Sequence, residues 1–164
     1  MKAYLAGPDV FRPDVLRWAE DARALCAARG VEALIPLDGD ATTPAGIYAQ
    51  NIAMIRAADV VLANLNAFRG AEPDSGTSFE VGFALALGKP VIGYVDEACS
   101  HAARVARWQG AELTQSECHV LDRDGLSVEN FGLPLNLMLA VPAKIVVGGL
   151  DEALFKALAQ PQGC

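Results

Sequence analysis

Apolar positions along this chain come in short unbroken runs separated by segments in which they recur every three or four residues. Residues 3–6 make the first run, closed by Gly7-Pro8, and Pro13 then opens a helix whose Val15, Leu16, Ala19, Ala22, Ala24 and Leu25 share one face until Gly30. A second strand is predicted at 33–35. Beyond a Gly/Asp/Thr/Pro loop, Ile47, Ile52, Met54, Ile55 and Ala58 carry a helix into a third strand at 59–65. The pattern then predicts a helix over 79–87 ending at Gly88-Lys89-Pro90, a strand at 90–95 and a helix at 97–108. Residues 109–131 are polar enough to read as mostly loop. A short helix at 135–139, a strand at 145–147 and a closing helix at 150–158 complete the series. Alternating strands and helices of this kind specify an α/β protein with a parallel sheet covered on both faces.

Composition narrows the possibilities without naming a chemistry. With 164 residues, no internal repeat and no low-complexity tract, the expectation is a single domain spanning 1–164. A formal net charge of −7 argues against binding a nucleic-acid polymer, which requires clustered Lys and Arg, but leaves a single nucleoside open. The four cysteines (Cys26, Cys99, Cys118, Cys164) form no C-x-x-C pair, and the two histidines lie 18 residues apart, so neither a zinc site nor a disulfide framework is indicated. The chain enters an apolar strand directly, without a long signal-like apolar region, and no apolar run approaches the ~20 residues that span a bilayer. A cytoplasmic protein with reduced thiols and no membrane partner is expected.

The segment Asp74-Ser-Gly-Thr-Ser-Phe-Glu80 follows the third strand and places two carboxylates across a glycine turn. In open parallel sheets ligands bind outside the carboxyl ends of the strands. If the acids converge to about 5–5.5 Å they match a retaining arrangement, in which one attacks an anomeric carbon and the other protonates the leaving group. Thr77-x-x-Glu80 alternatively fits a capping box, which would account for Glu80 without chemistry. Asp74 has no such explanation in that reading, and Gly76 permits close approach of a ligand. Ser75, Gly76 and Thr77 also offer backbone N–H groups to a phosphate, a use the flanking acids disfavour. Tyr4 lies inside the first strand, where a tyrosine is usually a core residue. Asn51 and Asn136 are amides among apolar neighbours, and a buried amide needs a partner. Asp40, in the loop before the second helix, is a candidate acceptor for a purine amino group or simply a solvated acid.

Four pieces in order, Tyr4-Leu-Ala-Gly7-Pro8-x-Val10-Phe11, Asn51-x-x-x-Ile55-x-x-x-Asp59, Phe68-Arg69-Gly70-x-x-x-Asp74-x-Gly76-Thr77-x-Phe79-Glu80-x-Gly82 and Phe131-Gly-Leu-Pro-x-Asn136-Leu-Met138-Leu139, resemble the nucleoside 2-deoxyribosyltransferase family. The resemblance runs from residue 3 to about 158. It implies a flavodoxin-like, doubly wound five-stranded sheet, and exchange of the base of a 2-deoxynucleoside for a free nucleobase without cofactor or metal. It further implies Glu80 as nucleophile, Asp74 as acid/base and Tyr4 as the hydroxyl that orients Glu80. Gly7, Val10 and Phe11 would line the substrate pocket. Asn136 and Met138 would reach into a neighbouring subunit's site, which makes a homodimer or larger homo-oligomer the expected assembly. Some members of the family carry an aspartate in contact with ligand where this chain has Asn51. Two rival readings stand beside the transferase: an N-hydrolase of 2-deoxynucleosides or 2-deoxynucleotides, and a non-catalytic nucleoside sensor.

Overall fold

The computed structural model describes residues 1–117 and 119–159. Its strands are β1 (Lys2–Ala6), β2 (Glu32–Leu34), β3 (Val60–Asn64), β4 (Val91–Val95), β5 (Thr114–Gln115), β6 (Val120–Leu121), β7 (Ser127–Val128) and β8 (Lys144–Val147). The helices are α1 (Val15–Ala27), α2 (Pro44–Ala57), α3 (Ser75–Ala86), α4 (His101–Gln109), α5 (Leu137–Ala140) and α6 (Leu150–Leu158), with a 3-10 turn at Pro8–Phe11. Five strands form one sheet in the order β2-β1-β3-β4-β8, and every pairing in it is parallel. This is the flavodoxin-like order, whose connections reverse direction between β1 and β3.

Strand periodicity divides the core into two layers. Ala3, Leu5, Val60, Leu62, Ile92 and Tyr94 face Ala19, Ala22 and Cys26 of α1 and Ala153, Leu154 and Ala157 of α6. Their neighbours Tyr4, Ala6, Val61 and Ala63 face Ile55 of α2, Val81 and Ala84 of α3, and Leu139 of α5. Because both faces are covered, β1 and β3 read as continuous apolar runs with no polar alternation. The sheet and its two helical layers therefore match the expected α/β architecture. No helix among the described residues is long and apolar enough to cross a membrane.

The segment 109–131, expected to be mostly loop, contains a small second sheet. Here β5, β6 and β7 form an antiparallel meander, with Thr114 opposite Leu121 and Val120 opposite Val128. Each strand has two residues and only Val120 is buried, so the alternation was too brief to register as a strand signal. A second difference concerns α3, which begins at Ser75, four residues before the predicted start. Its N-cap is Asp74, whose Oδ2 accepts from the Thr77 backbone N–H at 2.9 Å and the Thr77 hydroxyl at 3.0 Å. Thr77 is thus the third helical residue, and the Thr77–Glu80 capping box does not form. Cys26 is buried and Cys99 half-buried, both as free thiols, while Cys118 and Cys164 lie outside the described residues.

Candidate active site

The carboxyl ends of β1 and β3 are where this topology opens a crevice, and the sequence places its acids beside it. Tyr4 points from β1 into the layer shared with α3 and is fully buried. Its hydroxyl donates to Glu80 Oε1 at 2.5 Å, joining residues 76 positions apart. Side chains on a helix lean toward its N-terminus, so Glu80, in the second turn of α3, reaches back toward the end that Asp74 caps.

The electrostatics follow from that placement. Burial pushes the Glu80 carboxyl up from its ordinary 4.5 to about 7; the Tyr4 hydrogen bond opposes this, and the negative charge of Asp74 adds to it. Removing a carboxylate from water disfavours its charged form, whereas a donor on its oxygen favours it. Tyr4 is held far above the ordinary tyrosine range by burial first and then by the adjacent Glu80, so it remains a proton donor. The constellation is a carboxyl poised near neutrality, fixed by a hydroxyl that does not ionise, within the field of a second acid. Such a group can accept or form a bond at neutral pH without a metal, provided it is ionised when substrate arrives.

Around this core the remaining expected residues take distinct positions. Gly7 leaves β1 against Asn64 at the end of β3, and a Cβ at Gly7 would stand 2.8 Å from Asn64 Cβ, so the close crossing of the two strand ends requires glycine. Val10 is half-buried in the 3-10 turn, and Phe11 is 57% exposed beside the crevice. Gly76 lies in the first turn of α3, where a Cβ would meet Asp74 Oδ2 at 3.1 Å. Asn51, half-buried on α2, leaves its Oδ1 buried without a hydrogen-bond partner. Asp40 stands exposed on the loop before α2, and no hydrogen bond among the described residues ties it to the Tyr4–Glu80 pair. Asn136, expected inside an apolar helix, is instead the N-cap of α5, its Oδ1 accepting from the Met138 N–H at 3.0 Å. Met138 itself is 72% exposed.

Sequence reasoning missed three features at this edge. Asp9, buried within the 3-10 turn, accepts from Asn64 Nδ2 at 2.8 Å, and Asn64 Oδ1 in turn accepts from Asn66 Nδ2 at 2.9 Å. This polar chain laces the ends of β1 and β3; two asparagines interrupting an apolar run were its only signal. Phe11 stacks on Phe68 with ring centroids 5.5 Å apart, and the Arg69 guanidinium lies over both rings. Arg69 adopts φ 54°, a left-handed conformation that costs an ordinary residue on the order of 1 kcal/mol and is held here by the stack. The third feature is Glu129, which accepts from Asn136 Nδ2 at 2.8 Å. Among the described residues, no cluster of three or more His, Cys, Asp or Glu side chains is arranged to hold a metal ion.

Fold and candidate site together are those of an α/β protein with a flavodoxin-like sheet and a hydroxyl–carboxyl pair joining β1 to α3. A model of the nucleoside 2-deoxyribosyltransferase family matches residues 3–138. The chain belongs to that family. Its structure is similar to a 2-deoxyribosyltransferase of Leishmania mexicana, with 39% identity and a TM-score of 0.78 over 94% of this chain and 95% of the other. An uncharacterised protein of Schizosaccharomyces pombe is 29% identical over 154 residues, covering 82% of this chain and 73% of the yeast protein. A CMP N-glycosidase of Clostridium botulinum shares the fold at 14% identity, with a TM-score of 0.51 over 96% of this chain and 97% of the other.

Proposed function

We propose that this enzyme moves a 2-deoxyribosyl group from a 2-deoxynucleoside to a free nucleobase through a covalent intermediate on Glu80. The observation that carries the reading is the Tyr4–Glu80 hydrogen bond of 2.5 Å, which fixes one oxygen of the half-buried carboxylate while partial burial raises its pKa to about 7. Glu80 then attacks the anomeric carbon with its free oxygen, and the electron pair of the C–N bond leaves with the base. Asp74 delivers a proton to the departing base nitrogen. An incoming base reverses the sequence: its nitrogen attacks the anomeric carbon, the C–O pair returns to Glu80, and Asp74 recovers a proton, giving net retention. A 2-deoxy sugar suits this chemistry because it lacks the electron-withdrawing hydroxyl that would destabilise an oxocarbenium-like transition state.

Gly7, Val10 and Phe11 line the sugar and base pocket in this proposal, with the Phe11–Phe68 stack as an apolar wall. Asn51, with its unpartnered Oδ1, serves as a neutral hydrogen-bonding group toward the ligand. Asn136 and Met138 complete the site of a second copy in a homodimer or larger ring, and the exposure of Met138 supports that role. The deoxynucleotide hydrolase reading needs free cationic donors near the first glycine turn. Within the turn itself Arg12 is the cation, and its guanidinium pairs with Asp14 at 3.0 Å, while the Arg69 guanidinium is stacked over Phe11 and Phe68. This disfavours the nucleotide-specific hydrolase, and the ratio of base transfer to sugar release separates the transferase from a nucleoside hydrolase.

The test is to incubate the purified protein with deoxyinosine and adenine. Deoxyadenosine formation is expected, at a rate exceeding that of free deoxyribose release. Release of sugar with no new nucleoside would establish the hydrolase instead. Offering several bases in competition then reads out base preference, including the slight lean toward purines that Asp40 suggests.

A further inference from the structure

Helix α5 is a single turn, Leu137–Ala140, far too short to hold its own shape in water. Leu135 and Leu139 anchor the segment in the core, while Met138 and Val141 are 72% and 69% exposed. A side-chain restraint comes from Glu129, just beyond β7. Glu129 Oε1 accepts from the Asn136 amide Nδ2 at 2.8 Å, and Glu129 Oε2 accepts from the Leu137 backbone N–H at 2.9 Å. Asn136 Oδ1 faces the other way and accepts from Met138 N–H. A carboxylate only accepts, so Glu129 can hold the –NH₂ end of Asn136 and not its carbonyl end. The amide is thereby oriented from both sides, leaving one N–H and one lone pair for another molecule.

We propose that Glu129 is a positioning residue for a neighbouring copy's active site, holding Asn136 and Met138 in the pose in which they complete that site. The inference rests on the reading that Asn136 serves a second subunit. Glu129 acts through Asn136 and touches no reacting atom. Glu129→Gln keeps size and packing but turns one of the two acceptors into a donor, so either Asn136 Nδ2 or the Leu137 N–H loses its partner and the two-point hold on the start of α5 is broken.

The experiment uses three single variants, Glu129→Gln, Asn136→Ala and Glu80→Ala, and the double variant Glu129→Gln/Asn136→Ala. Glu129→Gln alone is expected to lower kcat/KM about ten- to hundredfold with unchanged assembly size and a chain still folded at the assay temperature, the scale set by hydrogen bonds to a charged group. In the double variant it should add nothing to the loss from Asn136→Ala, because its effect passes through that side chain. Co-assembling Glu129→Gln with Glu80→Ala should then restore about a quarter of wild-type turnover in a random dimer, since half the dimers are mixed and each mixed dimer holds one intact site. Should that mixture stay as inactive as its parents while Asn136→Ala with Glu80→Ala recovers, Glu129 works within its own subunit and the proposal is overturned. If neither mixture recovers, the shared-site reading itself fails, and the Glu129 proposal with it. Full activity of Glu129→Gln, or additive losses in the double variant, also overturns it.

Discussion

In the proposed mechanism Glu80 carries the chemistry at the residue scale, and two influences pull its proton in opposite directions. Burial raises its pKa to about 7 and the Tyr4 hydroxyl works against that rise. A nucleophile must be ionised, so kcat/KM is expected to climb as pH passes upward through about 7. Tyr4→Phe removes the opposing hydrogen bond; the rising limb should move to higher pH and activity at neutral pH should fall. A limb that stays in place would show that Tyr4 does not tune Glu80. The same shift has a consequence for stability. An acid whose folded pKa lies above its unfolded value contributes stability while protonated and loses it as pH climbs from 4.5 through about 7. At pH 8 the buried charge costs about 3 kcal/mol, and Glu80→Gln should recover most of it in chemical denaturation. Near pH 4 the same substitution should be close to neutral. Equal effects at both pH values would contradict the burial.

Asp74 does two things at the scale of the element, and they can be separated. It caps α3 through its side chain and stands near Glu80 as the second acid. Asn caps as well as Asp does, so Asp74→Asn should leave thermal stability within about 0.5 kcal/mol while transfer falls roughly 10²- to 10⁴-fold. Asp74→Ala should lose about 1 kcal/mol of stability in addition. A fully active Asp74→Asn enzyme would leave the residue a cap and nothing more. The cap was illegible in the sequence because Ser75 and Gly76 resemble a turn and the third helical position carries Thr77, where the familiar box has Glu or Gln. The opposite failure occurred at Asn136: flanking leucines implied a helix interior, but the side chain caps the turn and Glu129, seven residues upstream, holds it. The meander β5–β7 escaped notice because two-residue strands with mostly exposed side chains carry no usable period. Long elements buried on one or both faces announced themselves; short ones held by specific polar contacts did not.

The parallel sheet with helices on both faces, at the scale of the whole molecule, follows from the alternation of apolar runs and helical segments, whereas the flavodoxin-like strand arrangement was legible through the family resemblance. What the alternation could not supply was convergence: Tyr4 and Glu80 are 76 residues apart, and only the parallel packing of β1 beneath α3 brings them to hydrogen-bonding distance. The polar chain from Asp9 through Asn64 to Asn66 was hidden for the same reason, since it joins the 3-10 turn after β1 to the end of β3, 55 residues further along the chain. The exposed apolar side chains Tyr48, Phe79, Met138 and Val141 lie on or beside α2, α3 and α5, on the same side of the sheet as the Tyr4–Glu80 pair.

Tyr4 belongs to β1, which is hydrogen-bonded to β2 on one side and to β3 on the other. The hydroxyl that steadies the reactive carboxylate is therefore supplied from the interior of the sheet, not from any surface segment. Warming that frays the loops leaves that grip intact, and turnover should survive until the sheet itself melts, so that loss of activity and loss of β-structure coincide on a single thermal curve. In the proposed mechanism, substitutions along the rim can change which bases are accepted, while the bond-making oxygen stays where β1 and α3 hold it.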